Sequence, residues 1–375
     1  MPRPLVPNKF QLICEGLAWE GWQSFSIRQS LDSGAHSFSM QTTDRFKQLI
    51  GRWNVRGGSE IEIKIADETV FKGYVQKYSV NISADAHTIT LEGASKAIDI
   101  IECSHLGPYF WKNTTGEAVI REVLKPFGLS VTFDKGLKAI GATGYKVEVE
   151  AKPFEIIKEI AARDGLTVLT DFNGNLRLYD GKNAPQAGSI GRGDYISISS
   201  DHDLSQAFSE IVVKSQQNDR GKPVKATFNT KQRSEATSSN NLILKTTANP
   251  LNVRHRPIVY VKNDQGDAAE SFGDFVKSRF TGDVITASAV VKSHLNKAGK
   301  IWGIGQEVFL QEELLSVNQK LVVSEVDFSL SQDSGYQTNL VFKIPETYDP
   351  LEGASSASLR QAKGEFAIAS KALAA

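Results

Sequence analysis

Residues 321–344 read LVVSEVDFSLSQDSGYQTNLVFKI, and this pattern decides the fold class. Val322, Val326, Phe328 and Leu330 recur two or four residues apart, with Ser324, Glu325, Asp327, Ser329 and Ser331 as the polar alternates. That period predicts a half-buried antiparallel strand with one wet face. Residues 332–335 (QDSG) form a polar turn in which Gly335 can take positive φ, and residues 339–344 return as the partner strand. The stretch is a hairpin.

Residues 73–91, GYVQKYSVNISADAHTITL, carry nearly the same pattern. Setting residues 74–83 on 322–331 places Tyr78 on Val326, Val80 on Phe328 and Ile82 on Leu330. These six side chains are expected to face module cores. A polar turn (Ala84, Asp85, Ala86) and a return strand at 88–91 follow. Each hairpin is preceded by a similar strand, at 60–66 and 306–311. One reading is a single β module used twice; the plainer one is two unrelated hairpins.

The 375 residues suit two to four domains with ample core. Basic and acidic side chains balance at 43 each, so no global field draws the chain to nucleic acid or membrane. The two cysteines, Cys14 and Cys103, are too few for a disulfide framework or a zinc site and are read as buried thiols. No apolar run approaches the roughly 18 residues of a membrane span, so no membrane anchor is expected. The opening MPRPLVPNKF has three prolines and no apolar core, unlike a signal peptide.

Residues 10–93 read as β-rich. The segment 94–102 (ASKAIDIIE) reads as a helix. Two units of one design follow. In 114–127 (TTGEAVIREVLKPF), Thr114 and Glu117 suggest a capping box, and Val119, Ile120, Val123, Leu124 and Phe127 form an apolar stripe. Gly128 suits the helix stop, and LSVTFD is a strand. The second unit starts at Pro153, carries Ile156, Ile157, Ile160 and Ala161 inward, stops at Gly165 and runs into LTVLTD. Asn173-Gly174 is a hairpin turn. Residues 184–194 read as a Gly/Pro linker, 267–280 as a helix, and the alanine-rich tail after Pro350 as a weak helix.

No catalytic constellation emerges: there is no HExxH, GxSxG, Walker loop or CxxC. Gly191-Arg192-Gly193 and Gly303-Ile304-Gly305 lack the later glycine of a phosphate loop and read as turns. His202 between Asp201 and Asp203 has donor chemistry for a metal, but a polar turn is the simpler reading. No catalytic residue, cofactor or metal ligand is assigned, and the chain reads as no enzyme. One feature carries functional content. Residues 211–256 hold nine Lys and Arg against Asp219 and Glu235, a net of about +7. Lys214, Arg220, Lys222, Lys225, Lys231 and Arg233 make this a candidate partner-facing basic segment. The interleaved aromatics of a nucleic-acid surface are missing.

The words KPFGLSVTFD, ARDGLTVLTDFNGNLRLYD, DAAESFGDFVKSRF, KIWGIGQEVFL and LVVSEVDFSLSQDSGYQTNLVFKIPETYDP, in this order, resemble the baseplate hub proteins of contractile-tailed phages. The likeness is nearest to the P-type tail proteins of Mu and Mu-like prophages. It is more distant to late-control D proteins and to type VI secretion spike hub domains, and it covers essentially residues 5–350. It implies an α+β, mostly β, multidomain fold: two similar tube-type β-barrel modules flanking a small helix-strand α+β domain. The expected divisions are an extended arm (1–9), the first module (10–93), the α+β middle domain (94–183), the second module (184–350) with a basic loop insertion at 211–256, and a tail (351–375). The resemblance also implies a homotrimeric pseudo-six-fold ring in the virion tail baseplate, assembled in the host cytoplasm. Its partners would be the central spike protein, the tail tube or tube initiator and the baseplate wedge proteins. DNA would pass its channel without specific binding. The other reading is a cell-wall or nucleic-acid binding module acting through residues 211–256.

Overall fold

The computed structural model describes residues 9–43, 55–83, 87–137, 139–140, 144–181, 184–203, 210–216, 241–247, 255–262, 285–313, 315 and 317–348. The first β region comprises β1 (Phe10–Cys14), β2 (Leu17–Trp19), β3 (Ser24–Ser30), β4 (Ser37–Thr43), β5 (Glu60–Ile65), β6 (Glu68–Ile82) and β7 (His87–Ser95). Next come α1 (Ile98–Glu102), β8 (Phe110–Trp111), β9 (Thr114–Thr115), α2 (Gly116–Leu124), β10 (Val131–Phe133), β11 (Ala139–Ile140), β12 (Tyr145–Lys146), α3 (Pro153–Arg163), β13 (Thr167–Thr170) and β14 (Leu176–Tyr179). The second β region holds β15 (Gln186–Ile190), β16 (Ser197–His202), β17 (Glu210–Gln216), β18 (Asn241–Thr247), β19 (Pro257–Lys262), β20 (Ile285–Val291), β21 (Glu307–Glu312), β22 (Val317–Ser331) and β23 (Gly335–Lys343). The fold is mostly β and multidomain, as the pattern of alternating strands required.

The two β regions repeat one arrangement. In the first, the order is β3-β4-β7-β6-β5; in the second it is β16-β20-β23-β22-β21, every pair antiparallel. The long strands share an irregularity. The β6–β7 register shifts between Val75 and Lys77, and the β22–β23 register shifts between Val323 and Glu325. On the alignment read from sequence, Gln76 falls on Ser324, so each module inserts its extra residue at the same place. A bulge is a specific backbone device, and its recurrence argues for duplication over two unrelated hairpins. The modules differ at one flank, where β1 runs antiparallel to β5 but β15 runs parallel to β21.

The bulge corrects the face assignment of the first stretch. An inserted residue reverses the alternation beyond it. Leu321 and Val323 before it, and Val326 and Phe328 after it, all lie in the main core. Val322 instead packs in a separate cluster with Leu31, Leu169, Tyr179 and Tyr348, where the modules meet the middle domain. A second correction concerns Tyr78, Val80 and Ile82, which are 38, 43 and 71% exposed, whereas Val326 and Phe328 are fully buried. The expectation that all six face a covered core holds for the second hairpin, and Leu330 packs half-buried against that core. The first hairpin projects its outer half past the core.

The middle domain has its own core, built from the helical stripes read in sequence: Val119, Ile120, Val123 and Leu124 of α2 and Ile156, Ile157, Ile160 and Ala161 of α3. They cover the small sheet β10-β14-β13. Pro153 opens α3, and Gly128 and Gly165 take φ of 63° and 68° as helix stops. The cap of α2 is Thr115, not Thr114: its Oγ1 accepts from Ala118 N at 3.2 Å. The segment 94–102 is helical only over Ile98–Glu102, because β7 runs on to Ser95. The expected linker 184–194 contains β15 instead, which buries Ala187 and Ile190 against the second module. Cys14 is buried and Cys103 is exposed, so only one of the two thiols matches its expected setting. The helix expected at 267–280, the tail from 351 and residues 1–8 of the arm lie outside the described residues.

Phe328→Ala should cost about 3–5 kcal/mol of stability, a truncation inside a filled core. Ser329→Ala, on the other face of the same strand, should cost roughly 0.5 kcal/mol or less. Denaturant titration of both variants checks the pair, and equal losses would show the face assignment to be wrong.

Candidate assembly interface

Among the described residues, the two modules meet along a seam. Residues 325–330 of β22 pair antiparallel with β3, Val326 opposite Gln29, Asp327 opposite Arg28, Phe328 opposite Ile27 and Leu330 opposite Phe25. The two modules thereby share one 13-stranded sheet. On the polar face, Arg28 Nη2 donates to Glu325 Oε2 at 2.8 Å, and Ser26 Oγ donates to Asp327 Oδ1 at 2.8 Å. The Glu325 partner holds the guanidinium pKa of Arg28 above its usual value; burial pushes the Asp327 carboxyl up, opposed by the Ser26 bond. On the apolar face Ile27 and Phe25 close over the second module's core, and Phe25 stacks on Phe10 with centroids 3.9 Å apart.

His294 plugs this seam. Its ring stands edge-on to Phe328 at 5.5 Å and to Tyr336 at 5.7 Å. The Thr338 hydroxyl donates to Ser293 O at 3.1 Å, so it must accept from His294 Nδ1–H across 2.7 Å. Nε2 is then a bare acceptor, buried without a protein partner. A proton there would be desolvated and unpaired, and burial lowers the His294 pKa to about 4. His36 is the counterpart at the joint between first module and middle domain. Its Nε2–H donates to Thr170 O at 2.8 Å, and burial lowers its pKa to about 4. At the same joint, a Cβ on Gly34 would lie 2.5 Å from the Phe154 ring, so the β3–β4 turn presses directly on α3.

Two of the open strand edges correspond to the two sides of the internal seam. Beyond the bulge, residues 77–82 of β6 pair with β7 on one side, and no described strand pairs with the other; β16 pairs only with β20 among the described strands. Sequence reasoning missed these edges because it placed Tyr78, Val80 and Ile82 inside. The signal that marks them is the Lys77 and Asn81 interleaving, which the second hairpin replaces with Glu325 and Ser329.

Only part of the basic segment lies within the described residues. Lys214 lies on β17, in a separate sheet of order β18-β17-β19, while Arg220, Lys222, Lys225, Lys231 and Arg233 lie outside the described residues. The two glycine pairs are turns, as read: Asp194 Oδ2 accepts from Gly191 N at 2.9 Å, and Gly305 takes φ of 74° while its carbonyl accepts from Tyr179. Among the described residues no group of three His, Cys, Asp or Glu is placed to hold a metal.

Residues 9–95 match the family model of the Mu phage baseplate assembly protein GpP-like N-terminal domain, and residues 97–180 match that of the baseplate hub protein gp44-like second domain. The baseplate hub protein gp44 of Escherichia phage Mu is 22% identical over 343 residues, 89% of this chain and 87% of the relative. The 43 kDa tail protein of prophage MuSo2 from Shewanella oneidensis superposes with a TM-score of 0.76 at 20% identity, covering 91% of this chain and 99% of that one. The tail protein from Neisseria meningitidis MC58 gives 0.77 at 18% identity, covering 91% and 98%. The type VI secretion component c3393 of E. coli gives 0.56 at 11% identity, covering 89% and 76%. Both family matches fall within residues 9–180, and the chain as a whole is similar to baseplate hub and tail proteins of Mu-like phages.

The two buried imidazoles make stability pH-dependent. Their folded pKa values of about 4 lie below the ordinary 6.5, so the unfolded chain binds more protons between those limits. The stabilisation is complete above 6.5 and lost as pH falls towards 4, on the order of 3 kcal/mol per histidine. His36→Gln and His294→Asn keep the Nε2-like and Nδ1-like donors without titrating. The double variant should flatten the fall in urea midpoint between pH 7 and 5; an unchanged slope would remove these histidines from the account.

Proposed function

We propose that the protein is the hub of a contractile baseplate, three copies forming a pseudo-six-fold ring that joins the hexameric tail tube to the trimeric central spike. The observation that carries this is the repeated bulge at Gln76 and Ser324, with the same strand order around it. A chain with two equivalent modules gives six equivalent positions in a three-fold assembly. A ring of this kind meets a six-fold object on one face and a three-fold one on the other.

The remaining assignments rest on this reading. The described parts of residues 10–93 and 184–350 line the ring as tube-type modules, and the domain at 94–183 buttresses it. Tube or tube-initiator and wedge proteins contact the faces, DNA passes the channel without specific binding, and the particle is assembled in the host cytoplasm before taking its place in the baseplate. The hub carries no hydrolytic activity of its own. Lys214, Arg220, Lys222, Lys225, Lys231 and Arg233 face a baseplate neighbour.

Light scattering at tens of micromolar protein, well above a working Kd of about 1 μM, should give the mass of three chains; a monomer or dimer alone would sink the ring. Duplex DNA near physiological salt should bind weakly and no differently after Lys222, Lys225, Lys231 and Arg233 are neutralised. Tight binding that falls steeply with salt and disappears in that variant would favour the nucleic-acid module instead.

A further inference from the structure

Strand equivalence between the modules shows which edges no described strand pairs. The shared pairing partners match β4 to β20 through β7 and β23, so Phe38 corresponds to Ala287. Matching β3 to β16 in turn sets Ile27 on Ser200, Phe25 on Ile198 and Arg28 on Asp201. Within the chain, the outer half of β22 pairs with β3. The equivalent of that outer half is residues 77–82 of β6, and the equivalent of β3 is β16. Both have an edge that no described strand occupies.

The side chains at these edges fit each other. Val80 is 43% exposed although its equivalent Phe328 is fully buried, and Tyr78 is 38% exposed against none for Val326. What covers the second hairpin is β3, through Ile27 and Phe25; nothing described covers the first. The charges also correspond, with signs exchanged. Arg28 pairs with Glu325 across the internal seam, and the same two positions at the open edges hold Asp201 and Lys77. In the single chain Lys77 reaches Glu92 at 3.1 Å, with its side chain 64% exposed, a pairing worth little in water.

We infer that β6 of one copy pairs antiparallel with β16 of a second copy of this chain, in the register of the internal seam. Tyr78 then lies opposite His202, Ser79 opposite Asp201, Val80 opposite Ser200, Asn81 opposite Ser199 and Ile82 opposite Ile198, with Lys77 diagonal to Asp201. The contact is heterologous, so it leaves a β6 edge at one end and a β16 edge at the other until a ring closes. Strand edges left open are a standing aggregation hazard, and this contact covers both of these, which no described strand pairs. The inference rests on the hub reading and specifies the surface that reading leaves open.

The test uses the full chain carrying Cys103→Ser, which removes the exposed native thiol. Val80→Cys with Ser200→Cys should cross-link under mild oxidation into covalent species of up to three chains. Val80→Cys with Asp201→Cys, one position out of register and on the other face, should cross-link far less. Separately, Lys77→Glu and Asp201→Lys should each weaken self-association about tenfold, and together restore it to within about threefold, as expected of a coupled charge pair. Wild-type protein that stays monomeric overturns the ring itself. Wild-type trimer without the 80–200 cross-link, or with charge losses that simply add, overturns this register and leaves the hub reading standing.

Discussion

The structure turns on one extra residue in a long strand. β22 serves two neighbours on the same edge, β21 over its first half and β3 over its second. A regular strand of that length would hold one alternation throughout. The bulge at Ser324 resets it, so Val323 and Val326, three residues apart, both enter the main core. Val322 is freed to the opposite face, where it meets Leu31, Leu169, Tyr179 and Tyr348. The Ser324 hydroxyl donates to Val341 O at 3.1 Å, satisfying a polar side chain that the bulge buries. First module, second module and middle domain are thus joined through a few residues of one strand.

The duplicated modules keep the backbone and exchange volumes. Phe38 stands opposite Gly93 in the first, and Ala287 opposite Phe342 in the second. One large and one small side chain fill the pair each time, on opposite strands. The exchange is enforced: a Cβ on Gly93 would come within 2.5 Å of the Phe38 ring and 2.0 Å of Tyr74 O. Close packing fixes the summed volume at a site rather than the identity of its residues. Two copies of one fold can therefore diverge until little but the strand pattern and the bulge is common.

That divergence sets what the sequence disclosed. The hairpins, the helix stripes, Pro153, Gly128, Gly165 and the turn at Gly335 were legible because each rests on local chemistry: periodicity, ring constraint or positive φ. The site was legible only in part. Tyr78, Val80 and Ile82 have the alternation of a buried strand, and alternation reports that a face is meant to be covered without reporting by which chain. The bulges were hidden because a single inserted residue looks like imperfect periodicity; the odd, three-residue spacing from Val323 to Val326 was its trace. β15 was hidden because QAGSI, with Gly188 at φ of 103°, has little strand propensity and is ordered by its partner β21.

The exchange of charge signs between the two seams has a consequence for symmetry. If β3 of one copy met β6 of another, Arg28 would stand beside Lys77. If β22 met β16, Glu325 would stand beside Asp201. Each wrong seam replaces an attraction by a repulsion, a change of about 1 kcal/mol at such exposed positions, multiplied by the number of seams in a ring. Correct seams of both kinds always bring a first module against a second, so modules alternate around any closed ring and their number is even. Six modules that all pair through one backbone geometry look six-fold to a partner that reads the strands. A partner that reads the Arg28–Glu325 and Lys77–Asp201 faces finds them in alternation, and for it the same ring is three-fold.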